Sequence, residues 1–159
     1  DVEVLKSFNP LLEAQCILGM EEKEYVATSF MAFEKGHPLV KEFLNLYEQL
    51  SFLDKKGQII AGTNVAKLTK MLKEKGFVQE NHYQELENGI QIYPKEFFSP
   101  YDYINCHYNI TENSYCVHYF AVSWMSKKEQ VKKEIKKRIV KILGPEKMNE
   151  IREKLWKKN

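Results

Sequence analysis

Two carboxylates and one imidazole, near opposite ends of the first 125 residues, are the side chains of this sequence whose type and setting most favour chemistry. Asp1 and Glu3 are one residue apart, so a strand opening the chain turns both, with Leu5, to one face and Val2 and Val4 to the other. Carboxylates paired in this way hold a hard divalent cation through oxygen, and they serve equally well as the solvated edge of a strand. His118 lies in the stretch 110–124, ITENSYCVHYFAVSW, where Val117, Tyr119, Phe120 and Val122 favour a pleated strand covered on both faces. An imidazole there needs hydrogen-bond partners or a metal, because burying an unpaired polar group costs roughly 1–3 kcal/mol. On residue type alone, a satisfied core histidine and a metal ligand both remain open. Thr63 and Asn64 stand where a helix begins, which suits capping of free backbone N–H groups and also suits a phosphate or sugar at the helix N-terminus.

The elements that must position these groups follow from periodicity and punctuation. Residues 7–10, Ser-Phe-Asn-Pro, form a turn into a short helical turn at Leu11 and Leu12, and 16–20 reads as a short strand ending near Gly19. A charged loop over 21–24 leads to an apolar run, 25–33, that fits either a buried strand or the start of a helix. Pro38 opens an amphipathic helix carrying Leu39, Val40, Phe43, Leu44, Leu46 and Tyr47, with His37 as a turn or cap residue. A second helix is expected over 65–75, closed by Gly76, then a strand over 89–94 and an aromatic, proline-bounded loop over 95–103. Ser126 caps a helix reaching about Leu143; Gly144-Pro145 breaks it, and a shorter helix follows through Met148 and Trp156.

Composition bounds the class. A chain of 159 residues with 43% hydrophobic and 13% aromatic side chains can bury the core of one domain. No apolar run approaches the roughly 20 residues that span a bilayer, and the first residues lack the features of a signal peptide. Cys16, Cys106 and Cys116 are odd in number and widely spaced, which predicts free thiols in a reducing, cytoplasmic compartment. Charge divides the chain: residues 1–125 hold 11 basic against 17 acidic side chains, and 126–159 hold 13 against 5. The division predicts a catalytic or binding part, 1–125, and a basic amphipathic tail, 126–159. A one-signed helix backed by an apolar stripe over 127–143 has the pattern of helices that lie on anionic membranes or dock on a partner. No nucleic-acid motif accompanies it, so nucleic acid is not an expected partner. His37, His82 and His107 lack paired metal spacing, which disfavours a metal-dependent hydrolase. The opening, inside an alternating pattern and without an initiator Met, is expected to be that of a piece cut from a longer chain.

Taken in order, these motifs resemble those of glycosyltransferases with a DXD-containing sugar-binding region, a family that includes capsular-polysaccharide and initiating mannosyltransferases. Residues 1–11, DVEVLKSFNPL, resemble that family's passage entered at the last aspartate of D-x-D. Further matches are Glu34-Lys35-Gly36-His37-Pro38, Gly62-Thr63-Asn64, Ile92-Tyr93-Pro94 with Phe97-Phe98-Ser99-Pro100, and residues 110–124 with Ser123-Trp124. The resemblance covers roughly residues 1–125 and departs from the family in lacking the first aspartate and the N-terminal nucleotide-binding half.

It implies an α/β fold, the C-terminal portion of a GT-A-like nucleotide-diphospho-sugar transferase, followed by a basic helical tail. The implied activity is transfer of a sugar from a nucleotide-diphosphate donor to a saccharide or lipid-linked acceptor, in capsular or surface polysaccharide synthesis, with the fragment alone inactive. Mn2+ or Mg2+ would be held by Asp1 and His118, with Glu3 behind them. Ser123 and Trp124 would lie at the diphosphate and leaving group, and Thr28, Ser29, Thr63 and Asn64 at donor sugar and acceptor. The implied location is the cytoplasmic side, peripheral on the inner face of the membrane through 127–143. The competing expectation is a non-catalytic binding or scaffold domain that uses the basic helix for a partner or nucleic acid.

Overall fold

A computed structural model describes residues 2–22, 24–48, 50–51, 53, 56–57, 63–102, 106–120, 126–144, 146–148 and 150–151. Asp1, Gly62, Ser123 and Trp124, and most of the expected short helix beyond Met148, lie outside the described residues. Strand β2 (Cys16–Glu22) is the spine of a four-stranded sheet ordered β3-β2-β5-β4, with β3 at Tyr25–Phe33, β4 at Gln84–Leu86 and β5 at Ile90–Tyr93. β2 pairs with β5 in parallel, while β2–β3 and β4–β5 are antiparallel. A parallel pair requires a crossover, and helices α1 (Pro38–Glu48) and α2 (Asn64–Glu74) lie between the two strands in sequence. The class is therefore mixed α/β.

The apolar run of β2 feeds two cores because successive side chains leave opposite faces. Cys16, Leu18 and Met20 join Ile90 and Ile92 of β5, Leu39 of α1 and Leu68 and Leu72 of α2. On the other face, Ile17 packs with Leu11, Phe98 and Cys116, against the partly buried Phe8, Phe30 and Tyr115. The run 25–33, open between strand and helix in the sequence, is a strand, and its pairing Glu22↔Tyr25 carries β2 through part of the expected charged loop.

The expected loop over 95–103 instead contains a short helix, α3 (Lys95–Phe98), and strand β6 (Tyr101–Asp102), paired with β7 (His107–Tyr108). Its aromatic residues serve the underside of the fold. The Phe98 ring stacks on Phe30 with centroids 3.9 Å apart, and Phe98 lies against Gly19, where an added Cβ would be 2.7 Å from Phe98 Cδ2. His37 caps as expected: its Nδ1 accepts from the Leu39 N–H at 3.3 Å and its Nε2 is 2.9 Å from the Asn88 carbonyl.

The stretch 110–124 departs furthest from expectation. Only Cys116–His118, strand β8, is extended, and its partner is β1 (Val2–Val4) in a two-stranded antiparallel ribbon. Extension stops because Phe120 takes φ +49, a left-handed conformation that a strand does not accommodate. His118 is accordingly half-buried, whereas Cys116 and Val117 are buried. Helix α4 (Lys127–Leu143) begins with a capping box in which Ser126 and Glu129 satisfy each other's backbone N–H groups.

Candidate functional site

The β1–β8 ribbon decides which of the spaced residues meet. Its register pairs Val2 with His118, Glu3 with Val117 and Val4 with Cys116. The chain therefore enters the fold beside His118, joining segments more than 110 positions apart. The ladder is prolonged by the Leu5 N–H, which donates to the Tyr115 carbonyl at 2.8 Å. Alternation also separates two groups. Glu3 lies on the face of Val117, opposite to that of His118, and its carboxylate accepts the hydroxyl hydrogen of Tyr119.

His118 packs edge-on against Phe120, with ring centroids 4.2 Å apart at 77°. Burial lowers its pKa, and the charge of Lys133 lowers it further, so the ring is neutral at pH 7. The Lys133 ammonium donates to the Phe120 carbonyl, which ties α4 to the turn after β8.

Beside this turn is a cavity of about 310 Å³, lined by Tyr101, Tyr108, Tyr119, Gln130, Lys133, Glu134 and Lys137. The three phenols form a continuous wall: Tyr101 and Tyr108 have centroids 4.7 Å apart, and Tyr108 meets Tyr119 edge-on at 5.8 Å. Burial raises the pKa of Tyr101, and the hydrogen bond to Glu3 raises that of Tyr119, so both stay protonated donors at neutral pH. The opposite wall comes from α4, where Lys133 is half-buried and Lys137, one helical turn on, is exposed at the rim. Aromatic faces stack on sugars or bases, ammonium groups donate to phosphate oxygens, and Glu134 offers a carboxylate for hydroxyl hydrogens. Sequence reading placed these lysines on a one-signed basic face expected to meet an anionic membrane or a partner. Their signal was the spacing of Gln130, Lys133, Lys137 and Val140, one stripe of the helix whose last member is buried.

The remaining candidates are held elsewhere by definite local roles. Thr63 caps α2, its Oγ1 accepting from the Ala66 N–H at 3.2 Å, and Asn64 Oδ1 accepts from the Tyr47 hydroxyl at 2.7 Å. Thr28 and Ser29 sit where β3 slips against β2, between the pairs Leu18↔Met31 and Met20↔Val26. Such irregularities re-aim side chains, and the Ser29 hydroxyl oxygen is buried with no hydrogen-bond partner.

Among the described residues no group of three or more His, Cys, Asp or Glu side chains is gathered to hold a metal ion. The described members of the expected set do not make up a metal site, since Glu3 and His118 leave opposite faces of the ribbon. Asp1, Ser123 and Trp124 lie outside the described residues. No protein-family model, curated protein or solved structure matches the chain.

Proposed function

We propose that the chain is the metal- and acceptor-side part of a GT-A-like glycosyltransferase, which moves a sugar from a nucleotide-diphosphate donor to a saccharide or lipid-linked acceptor of surface-polysaccharide synthesis. The observation that carries this reading is the cavity beside the turn after β8, walled by three tyrosines and by two lysines of α4. It has the chemistry of a diphosphate flanked by a ring. Lys133 and Lys137 donate to the phosphate oxygens, and a tyrosine face takes the sugar or the base. When the bond from the anomeric carbon to the donor oxygen breaks, its electron pair leaves on the diphosphate, and the ammonium groups stabilise that charge. The acceptor hydroxyl forms the new bond and releases its proton, for which Glu134 is the carboxylate in the wall.

The family resemblance adds Mn2+ or Mg2+ held by Asp1 and His118, and contacts from Ser123 and Trp124 to the diphosphate. The neutral imidazole suits a metal ligand. Thr28 and Ser29, in an irregular strand, belong to the acceptor side of the proposal. Thr63 and Asn64 would act through the α2 N-terminus, as their side chains are already engaged there.

The test is a screen of UDP- and GDP-sugars for donor hydrolysis by the intact protein with Mn2+. His118→Ala is expected to abolish the activity, and hydrolysis unchanged in that variant contradicts the assignment. The competing reading, a non-catalytic binding or scaffold domain, predicts no turnover of any donor.

A further inference from the structure

Helix α4 turns the less expected side inward. The residues of α4 that turn toward the fold are Gln130, Lys133, Lys136 and the buried Val140, with the exposed Lys137 at the rim of the tyrosine cavity. At about 100° per residue the opposite side carries Val131, Ile135, Ile139, Ile142 and Leu143, and all five are exposed, Ile142 to 82%. Within the same outward half of the helix fall Lys127, Lys128, Lys132 and Arg138, each exposed. The two acids of α4 are used elsewhere: Glu129 closes the capping box with Ser126, and Glu134 lines the tyrosine cavity. The outward half is therefore apolar from Val131 to Leu143, with Lys128 ahead of the stripe on the same line and Lys127, Lys132 and Arg138 beside it, without a carboxylate.

We infer that this face of α4 lies in the interface of an anionic lipid bilayer, its apolar stripe among the acyl chains and its four exposed cations at phosphate headgroups. A helix of 17 residues is roughly 26 Å long, and no helix among the described residues is long and apolar enough to cross a membrane. It therefore lies along the surface, as helices with a strongly cationic polar margin do. Charge decides the occupant. A second copy would bring like charges together around the stripe, and a nucleic acid would leave five large apolar side chains in water. An anionic lipid surface satisfies both parts. The inference does not depend on the sugar-transfer reading.

The test is flotation of the full chain with vesicles of phosphatidylcholine alone and of phosphatidylcholine with phosphatidylglycerol. Binding to the anionic vesicles alone is expected. The triple variant Lys128→Gln/Lys132→Gln/Arg138→Gln should bind them about a hundredfold more weakly, at roughly one order of magnitude or less per cation near the surface. Ile135→Ser/Ile139→Ser, which alters only exposed side chains, should lose binding while keeping the thermal transition of the parent. Equal retention by both kinds of vesicle, no retention by either, or retention unchanged in the isoleucine variant overturns the inference. A dimer dispersed by the isoleucine substitutions in the absence of lipid overturns it in favour of a second copy.

Discussion

His118 was legible as an unusual residue because a polar ring stood in an apolar, β-branched setting; its partner strand was not, because pairing between residues more than 110 positions apart leaves no local trace. The structure supplies the partner as β1, with Val2 opposite the histidine. The tyrosines of the cavity were equally hard to read. Tyr101, Tyr108 and Tyr119 follow no common period and meet only because β6, β7 and the turn after β8 come together. A residue-scale prediction concerns the thiols. Burial pushes Cys16 up to about 12 and Cys116 to about 11 from 9.0, so both are neutral and shielded near neutral pH. Cys106, which is less buried, should be the thiol alkylated in the native protein, and rapid labelling of Cys16 would contradict this. The same shifts have a sign in stability. Each folded thiol pKa is raised above its unfolded value, so the contribution is complete below pH 9.0. It is lost as pH rises from there toward about 12, which denaturant titrations at increasing alkalinity should record as a falling midpoint.

Among the elements, those with strong punctuation were readable from the sequence. Pro38, the Thr63 cap and Ser126 with Glu129 mark the starts of α1, α2 and α4 where local chemistry dictates them. The aromatic loop was misread because α3 is a single turn held by tertiary packing of Phe98 rather than by helical periodicity. That packing makes Gly19→Ala a sharp test. With Phe98 Cδ2 only 2.7 Å from the new methyl carbon, ring and strand must shift, and stability should fall by about 1–3 kcal/mol in urea unfolding. Phe98→Ala removes the ring that stacks on Phe30 and should cost about 3–5 kcal/mol. Helix α4 has its own signature in acid. Hydrogen bonds from Ser126 hold the Glu129 carboxyl below its ordinary 4.5, so its help to the helix is present above that pH and lost as pH falls through the lowered value. Circular dichroism should show this acid loss of helix, and Glu129→Gln should remove the pH dependence.

At the scale of the whole molecule, the charge division at residue 126 was correctly visible, but its meaning depends on which way α4 faces. The sequence displays a basic face and an apolar stripe; it does not say that Lys133 and Lys137 turn toward the tyrosines while the isoleucines turn away. That orientation gives one helix two surfaces, one completing a cavity and the other exposed along its apolar stripe. The β1–β8 ribbon joins the second core through Cys116, and α4 is seated by the buried Val140.

The central claim is that this cavity receives the diphosphate of a nucleotide-sugar donor, and calorimetric titration of UDP and GDP into the protein tests it most directly. Saturable binding that weakens with added salt is predicted, together with at least about a tenfold loss in Lys133→Gln/Lys137→Gln with the fold retained by circular dichroism. Binding equally strong in that double variant, or absent from the parent protein for both nucleotides, would contradict the account.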